Sequence, residues 1–163
     1  MTFKSTLEKV RESKVFKDFI KENKDAELCA GFFIIDYFSH DNKTSLDYKT
    51  DDSIYTFDLK DNGEIKMQKD NLIKDSPLHT INSHINIDLD ELKNIIETEK
   101  NKLNIKAKLN KVIAILQIYE NKQVWNLTCM LEGLIMIHAI INSETKEIIK
   151  FERKSMSDFI RKA

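Results

Sequence analysis

Between Lys111 and Arg153 the chain carries four apolar runs, KVIAILQIY, VWNLTCMLE, LIMIHAII and EIIKFER, separated only by ENKQ, Glu132-Gly133 and NSETK. Breaks this short cannot hold the crossovers that parallel strands need, so the runs are expected to form an antiparallel meander. Upstream, Leu89, Leu92, Ile96 and Leu103 recur at three- and four-residue steps in a charged segment, the pattern of an amphipathic helix, with Asp88 and Glu91 as its capped start.

The first part of the chain follows the same order. Leu7, Val10, Phe16, Phe19 and Ile20 predict a helix over Ser5 to Asn23, opened by a Ser5/Glu8 capping box, with a local irregularity at Ser13. The β-branched and aromatic run AELCAGFFIIDYF reads as a strand, and HDNKT as a loop. In LDYKTDDSIYTFDLK, Tyr55, Phe57 and Leu59 alternate with polar residues; Asn62-Gly63 predicts a type I′ turn, and Ile65 and Met67 resume the alternation. The segment DSPLHTINSHINID carries the single proline and marks a boundary. The expected architecture is α+β in two tandem units, each a helix packed on an antiparallel meander: residues 1–74, a linker 75–87, and residues 88–163. A last helical turn is expected over Ser155 to Ala163, carrying Met156, Phe159 and Ile160. Overlaying SIYTFDLKDNGEIKM on LIMIHAIINSETKEIIKF places Ile54 on Ile135, Phe57 on His138 and Ile65 on Ile148.

Composition narrows the function. With 41% hydrophobic and 33% charged residues the chain has enough apolar surface to fold. Its 27 acidic and 26 basic residues nearly cancel, which disfavours a nucleic-acid binder. MTFKSTLEKVRESK has no apolar core of the kind a signal peptide carries, and no run reaches the roughly 18 apolar residues of a membrane span. Cys29 and Cys129 lie far apart in apolar runs and read as free thiols. The expectation is a cytoplasmic protein that engages neither nucleic acid nor membrane.

No motif specifies chemistry. His79 and His84 are five apart and no ligand cluster completes a metal site; His138 reads as a strand histidine; Cys129 with His138 lacks a third catalytic group. Asp36 ends a strand, Asp51 and Asp52 sit in a turn, and Gly31, Gly63 and Gly133 are isolated rather than forming a phosphate loop. Trp125 reads as core. The expectation is therefore no catalytic residues, no metal and no cofactor.

The second half resembles PepSY-like domains, within the wider set of cystatin-like helix-on-sheet folds. The likeness rests on a helix, a strand opening with Val124-Trp125-Asn126-Leu127, and the hairpin IHAIINSETKEIIKFE from Ile137 to Glu152, where the family reads Asp-x-x-Thr-Gly, a glutamate and two aliphatic residues. Asn142 stands at the aspartate and Lys146 at the glycine. The resemblance implies a non-catalytic module that binds or restrains another protein.

In LIMIHAII and KVIAILQIY both alternating sets are apolar, and one helix can cover only one of them. Leu134, Met136, Ile140, Ile113 and Ile115 are thus candidate interface residues, covered by the first half of the chain, by a second copy in a homodimer, or by another protein. The competing reading is a small-molecule-binding protein or enzyme with a pocket between helix and sheet, lined by Tyr119, Asn126 and His138.

Overall fold

The structure is a computed structural model and describes residues 1–72 and 78–155. Its chain begins with two helices, α1 (Phe3–Glu12) and α2 (Lys14–Glu22). The irregularity expected at Ser13 is a full break: Ser13 is extended (φ −69°, ψ 147°) and its hydroxyl accepts from the Phe16 amide, so it ends α1 and caps α2. The first cap lies earlier than Ser5 and Glu8. Thr2 is the cap, exchanging hydrogen bonds with Ser5, which donates its amide to the Thr2 hydroxyl at 3.0 Å and accepts the Thr2 amide at 3.1 Å.

Four strands follow, β1 (Glu27–Asp36), β2 (Lys43–Lys49), β3 (Ser53–Leu59) and β4 (Ile65–Asn71); then α3 (Leu89–Lys102); then β5 (Leu109–Tyr119), β6 (Lys122–Leu131), β7 (Ile135–Asn142) and β8 (Ile148–Ser155). LDYKTDDSIYTFDLK thus holds two strands turning at Thr50–Asp52. The eight described strands are antiparallel in one continuous sheet, in the order β4-β3-β2-β1-β5-β6-β7-β8. The two expected sheets are one because β1 pairs with β5, Gly31 opposite Leu116 and Phe33 opposite Ala114. The turn Ser155 to Ala163, apart from Ser155, and the boundary at Asp75–Pro77 lie outside the described residues.

Turn chemistry departs from expectation in an instructive way. At Asn62-Gly63 only Gly63 has positive φ (+87°), and the Gly63 amide donates to the Lys60 carbonyl: a type I turn closed by a glycine bulge, not type I′. The two-residue turn with both φ positive is Glu120-Asn121 (48° and 64°), where no glycine announces it.

The three described helices bury their stripes on one face of the sheet. Phe3, Thr6, Leu7 and Val10 of α1, Phe16 and Phe19 of α2, and Leu89, Leu92 and Ile96 of α3 are buried. Leu103 does not continue the last stripe; it is the C-cap and 52% exposed. Lys100 takes that place, its stem buried and its ammonium donating to the Ala107 carbonyl at 2.6 Å.

Residues 78–87, expected as a linker, form a strap pinned to the sheet. Ile81, Ile85 and Ile87 are buried, Gln123 exchanges hydrogen bonds with the Asn82 backbone, and the Trp125 indole donates to the Ile87 carbonyl at 2.9 Å. Asp88 then closes the helix layer. Its carboxylate accepts from Leu89 at the start of α3 and from Phe3 and Lys4 at the start of α1, so one side chain caps two helices.

Candidate functional site

The space between helices and sheet, where a pocket was anticipated as the competing reading, is occupied by side chains. Phe3, Phe33 and Trp125 pack edge-on or tilted with centroids 5.8 to 6.4 Å apart, all three with no exposed surface. Phe16, Phe19, Tyr48, Tyr55 and Phe57 fill the other end with centroids 4.7 to 6.3 Å apart. Trp125 is therefore core and also the hydrogen-bonded post for the strap.

The opposite face carries no helix among the described residues. Strand register fixes who lies on it. Phe32 pairs with Ile115, Ile115 with Asn126, and Asn126 with Ile140; Ile34 pairs with Ile113, Ile113 with Thr128, and Thr128 with His138. Beside these, Met130 pairs with Met136. The middle of this face is thus an apolar stripe across β1, β5, β6 and β7, and its outer strands are polar apart from Ile54: Asp47, Thr56, Asp58, Lys66, Gln68 and Asp70 on β2 to β4, and Lys150, Glu152 and Lys154 on β8.

Of the candidate interface residues, Ile113, Ile115 and Met136 lie on this face and are partly exposed. Ile140 lies on it too but is only 1% exposed, as is Val124 at 0%, so that corner is closed. Leu134 belongs to the β6–β7 turn instead, 65% exposed with φ +59°. Sequence reasoning missed Phe32 and Ile34, although the run FFII held the signal, both alternating sets being apolar.

The three candidate pocket residues do not line a cavity between helix and sheet. Asn126 and His138 lie on the helix-free face, with Nε2 of His138 hydrogen-bonded to the Asn126 amide oxygen at 2.9 Å, and Tyr119 ends β5 opposite Lys122. Burial, and then the charges of Lys150 and Lys154, hold His138 below its ordinary value, partly opposed by Glu152.

Cys129 and His138 cannot act together, because they sit on opposite faces: Cys129 pairs with Ile137, while His138 pairs with Thr128. Burial pushes the Cys129 thiol up to about 12, and burial with the nearby Asp47 carboxylate does the same to Cys29. Asp36 is a structural acid. Its carboxylate accepts from the Ser39 hydroxyl and from the Ser39 and Phe38 amides, which with Lys111 hold it down at about 2. Asp51 and Asp52 stay in their turn, beside an open concavity of about 500 Å³ that Glu22, Asp25 and Glu27 also line. No three His, Cys, Asp or Glu side chains among the described residues are arranged to hold a metal ion.

No family model and no curated protein matches this chain. Among solved structures it is similar to the crystal structure of a "putative lipoprotein" from Clostridium difficile 630, with a TM-score of 0.62 and 9% identity over 86% of this chain and 90% of that one. At that identity the likeness concerns the fold alone. No described helix is long and apolar enough to cross a membrane.

Proposed function

We propose that this protein is a non-catalytic binding module acting through protein–protein contacts, with the helix-free face of its sheet as the working surface. The observation that carries this reading is the arrangement of that face, an apolar centre with polar margins, which is the anatomy of an interface. The filled helix–sheet core supports it by leaving the competing pocket no room at the anticipated place, and the separation of Cys129 from His138 supports a protein without chemistry of its own.

The PepSY-like and tandem readings belong to the same proposal. At the β7–β8 turn the Asn142 amide oxygen accepts from the Glu144 and Thr145 amides, as an aspartate would, and Lys146 adopts the left-handed φ of +67° that the family's glycine suits. Two meanders of the same strand order, each preceded by helix, support duplication. The overlay of the halves needs moving by one residue. Leu59 pairs with Ile65 and Ile141 with Ile148, so Phe57 corresponds to Ala139 on the helix face, not to His138 on the other.

The test is a photo-crosslinking residue at Ile115, with Lys17 on the exposed side of α2, away from the sheet face, as control. Protein crosslinked through position 115 and not through 17 is expected. If position 115 captures no protein at all, neither this chain nor another, the face is not a working surface.

A further inference from the structure

The first half of the chain does not cover the apolar stripe, because it extends the sheet edge to edge instead of stacking on it. The other covers anticipated from sequence are a second copy and a different protein. We infer, resting on the reading above, that the occupant is a second copy of this chain, stacked face to face with its two-fold axis along the strands.

Size is the first argument. Eight strands about 4.8 Å apart, overlapping over roughly seven residues at about 3.3 Å each, present a face on the order of 800 to 900 Å². Even without the closed corner at Val124 and Ile140, that is of the order of the roughly 600 to 1,000 Å² that each partner contributes to a standard interface. Shape is the second. Away from the closed corner at Val124 and Ile140 the described face is an open sheet surface and not a groove, and two such sheets pack directly on each other, about 10 Å apart, in an aligned sandwich. An isologous contact then buries the stripe on both copies at once.

Charge selects the axis. The β2–β4 margin carries Asp47, Asp58 and Asp70, close enough that the latter two, after burial, help raise Asp47 from its ordinary value, while the Thr56 hydroxyl opposes. Lys66 lies among them, opposite Asp58; Lys43 is at the strand end, and Lys49 is turned to the Leu78 carbonyl and Glu27. The β8 margin carries Lys150 and Lys154 around Glu152. An axis across the strands would lay the three aspartates on their own copies. An axis along the strands lays them towards the lysine margin of the partner, and puts Phe32 and Ile34 of one copy over Ile115 and Ile113 of the other.

Sedimentation equilibrium of the full chain tests this. The wild type at about 100 µM is expected to be a dimer, and Ile113→Glu to raise the dissociation constant on the order of 100-fold with an unchanged circular dichroism spectrum. Should that variant misfold, Thr128→Arg, which places a charge on the same face without touching the core, is expected to do the same. A wild type that stays monomeric, or a dimer that survives both changes, overturns the inference. A monomer that still crosslinks another protein through position 115 would leave the binding reading standing and remove only the self-association.

Discussion

The two meanders solve the same covering problem with different materials. β1 to β4 lie under two short helices joined at a capped break, and the gap is filled with rings: Phe16, Phe19, Tyr48, Tyr55 and Phe57. β5 to β8 lie under one helix of 14 residues with a stripe of Leu89, Leu92 and Ile96, over Leu116, Leu127, Ile137 and Ile141. Aromatic rings fill the space under the broken cover, and aliphatic side chains the space under the straight helix. The same strand order thus forms under either cover, and the two covers meet at a seam of Trp125, Phe3, Phe33 and Asp88.

The largest expected effect is at that seam. Trp125→Ala removes a fully buried side chain, its contacts with Phe3 and Phe33 and the hydrogen bond to Ile87, and should cost about 3–5 kcal/mol of stability in chemical denaturation. If the meanders are separate in stability, the transition will split in two. A single lowered transition would show that the continuous sheet makes them one cooperative unit.

Asp88→Ala comes next. Losing one N-cap costs about 1 kcal/mol, and here two helices lose theirs, so roughly 2 kcal/mol is expected, against about 1 kcal/mol for Thr2→Ala, which removes only the local box of α1. Equal effects of the two changes would mean that the shared cap contributes nothing across the seam.

The corresponding hairpin turns give a smaller and opposite pair. Gly63→Ala forces a Cβ into φ +87°, with open space around it, and should cost about 1 kcal/mol through backbone strain alone. Lys146→Gly removes a side chain from φ +67° and should stabilise by about 0.5 kcal/mol, since its ion pair with Glu91 is long and exposed. Melting temperatures moving the same way for both would break the equivalence of the turns.

The smallest effect is the pH dependence of the second meander, which carries His138. Its folded value is depressed, so below about pH 7 the unfolded chain binds more protons than the folded one, and stability should fall as pH drops through 6.5 towards the folded value. His138→Gln, which can keep a hydrogen bond to Asn126, should flatten the melting temperature over that window. An unchanged slope would assign it elsewhere, with Lys150, Lys154 and Glu152 the neighbouring charges to examine.

The strands of the second meander were legible because each apolar run is bounded by a short polar break, and α3 because its stripe is periodic. What stayed hidden has physical reasons. Glu120-Asn121 adopts a turn usually signalled by glycine, so its geometry could not be read from residue type. Asp88 looked like an ordinary cap, because its second helix lies 85 residues away along the chain, and local pattern holds no trace of such a contact. The overlay slipped by one residue because both faces of β7 are apolar, which removes the signal that fixes strand register. The apolar face itself was visible from the same doubling, but its cover was not: pairing of β1 with β5 depends on backbone edges, and no side-chain pattern declares whether two meanders will stack or join.

That junction also dictates an order of events during synthesis. Phe33 of β1 waits for Ala114 of β5, its partner 81 residues later. A chain growing at about 5–20 residues per second adds that stretch in roughly 4–16 s, long after β1 to β4 can have formed their hairpins. For those seconds the nascent first half shows a bare strand edge flanked by Phe32 and Ile34, a template that any other extended chain could pair with. The inner edge of β1, hidden once β5 arrives, is therefore where ribosome-associated chaperones would be needed most.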